Sequence, residues 1–156
     1  MKTELILVGK TNDKHFQAGI DDYCQRIGHY MPFLITVIPE LKNTKSLSFQ
    51  QQKEREGEMI LAKLQSSDHV VLLDEHGKDF RSVEFARWIE QKNASVRRLV
   101  FVIGGPYGFS EAVYSRANEK ISLSKMTFSH QMVRLVFVEQ IYRACTIIKG
   151  EPYHHE

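Results

Sequence analysis

The stretch Leu99–Arg134, LVFVIGGPYGFSEAVYSRANEKISLSKMTFSHQMVR, decides the fold. It reads as strand, glycine turn, short helix, strand, polar loop, and then the start of a long apolar helix. The strand LVFVI ends in Gly104-Gly105-Pro106-Tyr107-Gly108, and ISLS ends in Lys125-Met126-Thr127-Phe128. Two strands thus finish in loops carrying small or hydroxyl side chains. In open α/β sheets, ligands sit outside the carboxyl ends of strands, so function is sought here first.

The same alternation extends outward on both sides. Glu4–Gly9 predicts a buried strand. Asn12 or Asp13 caps a helix carrying Phe16, Ile20, Tyr23 and Ile27 on one face. FLITVI lies between Pro32 and Pro39 as a second strand. Leu41–Ser46 reads as loop. Ser48 opens a polar helix to about Gln65, buried through Met59, Ile60 and Leu64. His69–Leu73 is a third strand, ending in Asp74-Glu75-His76-Gly77, and Ser82 caps a helix with Phe85, Trp88 and Ile89. Ser110, followed by Glu111, starts the short helix, Ile121–Ser124 is the fifth strand, and His130–Lys149 is the last helix, stopped by Gly150 and Pro152. The expected fold class is α/β, a mostly parallel sheet flanked by helices on both faces. If the strands ending at Leu73, Ile103 and Ser124 are neighbours, their loops converge on one crevice.

Bulk properties narrow the function. At 156 residues, with 42% hydrophobic and 26% charged residues, the chain reads as a single domain with a sizeable core, residues 1–156. A net charge of +2, from 21 basic and 19 acidic residues, argues against gripping naked nucleic acid by charge alone. Lys42, Lys45, Lys53 and Arg55, and the pair Arg97-Arg98, read as solvated faces. No apolar run approaches the roughly 20 residues of a membrane span, and MKTELILVGK has too short an apolar core for a signal peptide. Cys24 and Cys145 lack metal-ligand spacing and read as reduced, buried thiols of a cytoplasmic protein. No membrane and no metal are expected.

The last helix is apolar on several faces. His130, Gln131 and Arg134 cluster on one side, and Glu139, Gln140 and Arg143 on nearly the opposite side further along. Such a helix is buried on more than one side, against a second chain or in the core of a monomer. The glycine turn lacks G-x-G-x-x-G and is followed by no Gly-Lys-Ser/Thr, so it is a ligand loop of another kind or a tight connector. Its glycines are expected to let backbone approach a ligand closely. Glu139 and Arg143 are spaced as a helix-surface pair. The tail Pro152-Tyr153-His154-His155-Glu156 is frayed, or it docks into a site where Tyr stacks a base and His titrates near neutrality.

The runs IGGPYGFS and ISLSKMTFSHQMVRLVFVEQIYRA and the ending PYHHE, with LILVGK and VVLLDEHGK in order before them, resemble the small bacterial ribosomal RNA methyltransferases of the SPOUT class, the RlmH family. The resemblance covers essentially the whole chain. One departure is Ser129, where family members often carry proline before the histidine. The resemblance implies a C-terminal trefoil knot over approximately 99–149, followed by the tail 150–156, and a homodimer packed through knot helices. It implies S-adenosylmethionine bound against Leu73, Gly104, Gly105, Leu123, Ser124, Lys125, Met126, Thr127 and Phe128. The implied acceptor is N3 of a pseudouridine (position 1915) in helix 69 of 23S rRNA, on the assembled 70S ribosome.

Methyl transfer from a sulfonium is an in-line displacement, so the protein mainly positions donor and acceptor, and the N3 proton needs a destination. His154, then Glu139, are the candidate bases. Arg143 and Arg134 are candidate clamps for phosphate or a base carbonyl, and Tyr153 is a candidate stacking platform. In a symmetric dimer, the tail of one chain would complete the pocket of the other. Two rivals stand beside this reading. One is a SPOUT methyltransferase for another RNA site, though such enzymes usually carry an added RNA-binding domain. The other is a non-catalytic nucleotide-binding regulatory module, which would have no need of Tyr153 or His154.

Overall fold

A computed structural model describes all residues, Met1–Glu156. The elements are β1 (Lys2–Val8), α1 (Lys14–Ile27), β2 (Phe33–Ile38), a 3₁₀ turn (Thr44–Ser46), α2 (Phe49–Ala62), β3 (His69–Asp79), α3 (Ser82–Ser95), β4 (Arg98–Ile103), α4 (Glu111–Arg116), β5 (Glu119–Ser122) and α5 (Met132–Lys149). The five strands form one sheet, in the order β2-β1-β4-β3-β5, and every pairing is parallel.

Strand alternation sorts the core into two layers. Leu5, Leu7, Leu99, Phe101 and Ile103 face α1, α3 and α5, meeting Ile20, Phe85, Phe137 and Ile141. Ile6, Val8, Val100 and Val102 face α2 and α4, meeting Ile60 and Val113. Burial on both faces explains why β1 and β4 read as continuous apolar runs. The apolar surplus of α5 is used largely within the protomer: Phe137, Val138, Ile141, Ala144 and Cys145 are buried, and the helix packs on α1 and α3. Met132 and Ile148, near its two ends, are each 37% exposed. No helix is long and apolar enough to cross a membrane.

Local chemistry sets the helix ends. The Asp13 carboxylate accepts the His15 and Phe16 N–H groups, and Ser48 forms a reciprocal capping box with Gln51. Ser82 is not a cap. It is already helical, its hydroxyl donates to Gln140 Oε1 at 3.2 Å, and the Glu84 carboxylate takes the Arg81 N–H at 2.9 Å. The last helix begins at Met132 rather than His130, because the Ser129 hydroxyl accepts the Met132 N–H at 3.1 Å. The departure at Ser129 therefore supplies a capping oxygen that proline lacks. Leu41–Ser46 is loop with one 3₁₀ turn at its end.

Two boundaries differ more. The fifth strand is Glu119–Ser122, which leaves Leu123 and Ser124 in the following loop. The third strand does not stop at Leu73 but runs to Asp79, and Ile121 of β5 is paired with both Leu73 and Lys78. Residues 74–77 thus make an excursion past β5 before pairing resumes. Gly77 sits at the closest point: a Cβ there would lie 2.6 Å from the Ile121 backbone. Only glycine permits that crossing.

Candidate active site

β4, β3 and β5 are neighbours, so their carboxyl ends converge. Between them lies an open cavity of about 520 Å³, within the range of small-molecule sites. Leu73, Gly104, Gly105, Leu123, Ser124, Lys125, Met126, Thr127 and Phe128 all line it. The structure therefore gathers on one wall-to-wall surface every residue assigned to the cofactor from sequence. Asp74, Glu75, Tyr114, His130 and Val133 line it too and were missed. Asp74 stands at a strand end already notable for its ligand-type residues; nothing in the sequence signals Tyr114.

The cavity combines apolar walls (Leu73, Ile103, Leu123, Val133) with hydroxyl and carboxylate groups. The 123–128 loop is held by its own bonds: Ser122 Oγ donates to the Ser124 carbonyl at 3.0 Å, and the Ser124 hydroxyl accepts the Met126 N–H at 3.0 Å. Asp74 loses some of its ionisation tendency to burial. Hydrogen bonds from the Tyr114 hydroxyl and the His76 N–H, with the Lys120 charge, outweigh this and hold its carboxyl below the usual range. A fixed negative charge in the cavity suits a positively charged ligand.

The first two glycines of the turn are closely packed by protein. A Cβ on Gly104 would lie 2.9 Å from the Phe109 ring, and one on Gly105 would lie 2.8 Å from Glu56 Oε2. Neither glycine has φ in the left-handed region. Both are small because protein packs against them, not because a left-handed turn requires it.

Glu139, Arg143, Tyr153 and His154 form a second cluster, and none of them lines the cavity. Arg143 Nη2 donates to Glu139 Oε1 at 2.5 Å, the Tyr153 hydroxyl donates to the same carboxylate at 3.1 Å, and Arg143 Nη1 meets His154 Nδ1 at 3.1 Å. The guanidinium lies 4.9 Å from the Tyr153 ring centroid. Tyr142 packs edge-on against that ring at 4.8 Å. Burial, with the Tyr23 hydroxyl and Glu139 beside it, pushes the Tyr153 phenol well above its ordinary value. Tyr30 donates to Glu151 at 2.6 Å, and the Glu151 N–H returns to the Thr146 carbonyl at 2.9 Å. The tail is packed rather than frayed.

Arg143 can only donate, so His154 Nδ1 accepts and the ring proton sits on Nε2, which is buried with no hydrogen-bond partner. The cluster is remote from the cavity of its own protomer. His130, just before α5, and Val133, in its first turn, reach the cavity, and Arg143 is ten residues past Val133, about 15 Å along the helix axis.

Arg134 is no clamp. It is 1% exposed, and its guanidinium donates to the Val8 carbonyl at 2.7 Å, the Gly9 carbonyl at 2.9 Å and Thr11 Oγ1 at 3.0 Å. It ties α5 to the end of β1. Arg98 is half-buried and paired within the protein, bonded to Asp68 at 2.6 Å and to Glu4. No group of three or more His, Cys, Asp or Glu side chains is disposed to hold a metal ion.

A family model described as "Predicted SPOUT methyltransferase" matches residues 1–154. The chain belongs to the SPOUT methyltransferase family. Relatives of this SPOUT chain align over its full length and theirs. A protein of Bacteroides fragilis is 66% identical over 157 aligned positions, one of Phocaeicola vulgatus 64%, and one of Flavobacterium johnsoniae 56%. Each covers 100% of both chains and is named ribosomal RNA large subunit methyltransferase H. The parallel sheet flanked by helices is consistent with the SPOUT fold.

Proposed function

We propose that this SPOUT protein transfers a methyl group from S-adenosylmethionine to large-subunit ribosomal RNA, at N3 of pseudouridine 1915 in helix 69 of the assembled 70S ribosome. It works in the cytoplasm as a homodimer, with residues of about 99–149 tied in a trefoil knot. The convergence of three strand-end loops on one cavity, in a chain 66% identical to a protein named ribosomal RNA large subunit methyltransferase H, supports this reading. The double pairing of Ile121 and the close crossing at Gly77 support a chain that passes through itself.

The cavity's donor set fits the methyl donor: a carboxylate for its positive charges, apolar walls for its adenine, and loop backbone for a purine edge. Bound there, S-adenosylmethionine supplies an electrophilic methyl on a sulfonium. Leu73, Gly104, Gly105 and the Leu123–Phe128 loop hold the donor in place, and Asp74 balances its charge.

The acceptor nitrogen needs orientation and a route for its proton. Glu139, Arg143, Tyr153 and His154 are suited to both, yet they lie away from their own protomer's cavity. In the dimer, the tail of one protomer therefore faces the cavity of its partner. Tyr153 stacks the target base, and Arg143 holds a base carbonyl or phosphate. His154 takes the N3 proton as Arg143 shifts from Nδ1 to the RNA, with Glu139 anchoring the arginine.

The reading is tested with ribosomes from cells lacking this protein. Incubation with the purified protein and labelled S-adenosylmethionine, followed by mass spectrometry of rRNA fragments, is expected to place one methyl on the helix 69 pseudouridine. Donor binding without transfer would favour the regulatory module, and transfer elsewhere would favour another RNA site.

A further inference from the structure

The glycine turn is gripped from outside the cavity by a single helix face. Glu56 reaches from α2 to accept the Gly105 N–H at 3.0 Å. About two helical turns toward the N-terminus, Phe49 stacks on Tyr107 with ring centroids 4.3 Å apart and planes at 20°. Beside Glu56, Gly57 packs so closely on Ser110 that a Cβ would lie 2.4 Å from Oγ. Residues 49, 56 and 57 share one face of α2 and contact positions 107, 105 and 110 of the loop. Of these three α2 residues none lines the cavity.

We propose that Glu56 is a positioning residue for the methyl donor. Its carboxylate turns the Gly104–Gly105 peptide so that the N–H points at α2 and the Gly104 carbonyl is offered to the ligand. The peptide is trans, so its C=O and N–H point in opposite directions. Glu56 lies outside the cavity that Gly104 and Gly105 line, so fixing the N–H outward sends the carbonyl the other way. An acceptor there recognises a hydroxyl or amine of the donor molecule. Half-burial pushes the Glu56 carboxyl up, Gly105 pulls it down, and Glu40 adds repulsion. A group placed at that cost suits a task that an apolar residue could not perform.

This inference rests on the cavity being the S-adenosylmethionine site, and the test separates the two. Glu56→Met keeps the side chain's length and removes the acceptor. Glu56→Gln keeps an acceptor and removes the charge. Calorimetry with S-adenosylmethionine is expected to show binding about tenfold weaker for Glu56→Met and within about threefold of the parent for Glu56→Gln. In the ligand-free protein, the Gly105 amide is expected to exchange with solvent faster in Glu56→Met only. Unchanged affinity in Glu56→Met, or equal losses in both variants, would overturn the positioning role. If the parent protein fails to bind the donor while Gly105 exchange still responds, the cavity assignment falls and takes the positioning role with it.

Discussion

Arg143 Nη1 lies 3.1 Å from His154 Nδ1, closing an eleven-residue return of the chain onto α5. A guanidinium has no acceptor, so this contact fixes the imidazole as the Nε2–H tautomer. Long-range nitrogen–proton NMR of the protein is expected to show the neutral His154 ring carrying its proton at Nε2. Arg143→Met is expected to give a mixture of tautomers. An Nδ1–H signal in the parent protein would contradict the assignment.

Arg134 joins α5 to the last turn of β1 through two backbone carbonyls and a hydroxyl, all shielded from water. Removing a buried donor strands its acceptors, at about 1–3 kcal/mol for each group left unpaired. Arg134→Met is expected to lose about 3 kcal/mol in urea unfolding. Parental stability combined with lost RNA affinity would restore the arginine to the role of a clamp.

Glu119 gathers three donors: His69 at 2.5 Å, Lys92 at 2.9 Å and Trp88 Nε1 at 3.1 Å. Burial raises its carboxyl, but the hydrogen bonds from Lys92, His69 and Trp88 outweigh that and set it below the ordinary value. The folded protein thus binds this proton less tightly than the unfolded chain, where glutamate titrates near about 4.3. The stabilisation is fully present above that pH and is lost as pH falls through the lower folded value. The gap in Tm between the parent and Glu119→Gln is expected to be wide at about pH 7 and to close near about pH 3. A gap independent of pH would show that the ionised carboxylate contributes nothing.

Burial pushes both thiols up to about 11, and Asp21 adds to the effect at Cys24. Thiolate is the reactive form, so at about pH 8 both cysteines are expected to react with an aromatic disulfide reagent far more slowly than free cysteine does. Addition of denaturant is expected to release both at once. A fast native phase at Cys145, which is 4% exposed, would contradict its place in the core.

Much of this fold was legible because its signals are local. The run Leu99–Ile103 announced a strand buried on both faces, and Asp13, Ser48 and Ser110 announced helix starts through the oxygens they present. The path of 74–79 was not legible, because its pairing depends on Ile121, some forty residues away. Arg134 read as a candidate clamp because nothing local shows that the carbonyls of Val8 and Gly9 take up its guanidinium. The glycine turn marked this strand end, but its packing on Glu56, 49 residues earlier, was not legible from local sequence. Glu56 itself sits in a polar helix among Arg55, Glu54 and Glu58, with no pattern to set it apart.

The separation of the cavity from the Arg143–His154 cluster makes the central claim, a site shared across two protomers, directly measurable. A chain with its cavity blocked at the exposed lining residue by Thr127→Trp and a chain carrying His154→Ala are each expected to be inactive on ribosomes as homodimers. Co-expressed under two affinity tags and purified as the mixed dimer, they are expected to recover about half the parental methyl transfer, since one intact cavity then meets one intact tail. A mixed dimer as inactive as its parents would show that cavity and tail act within one chain, and would contradict the account.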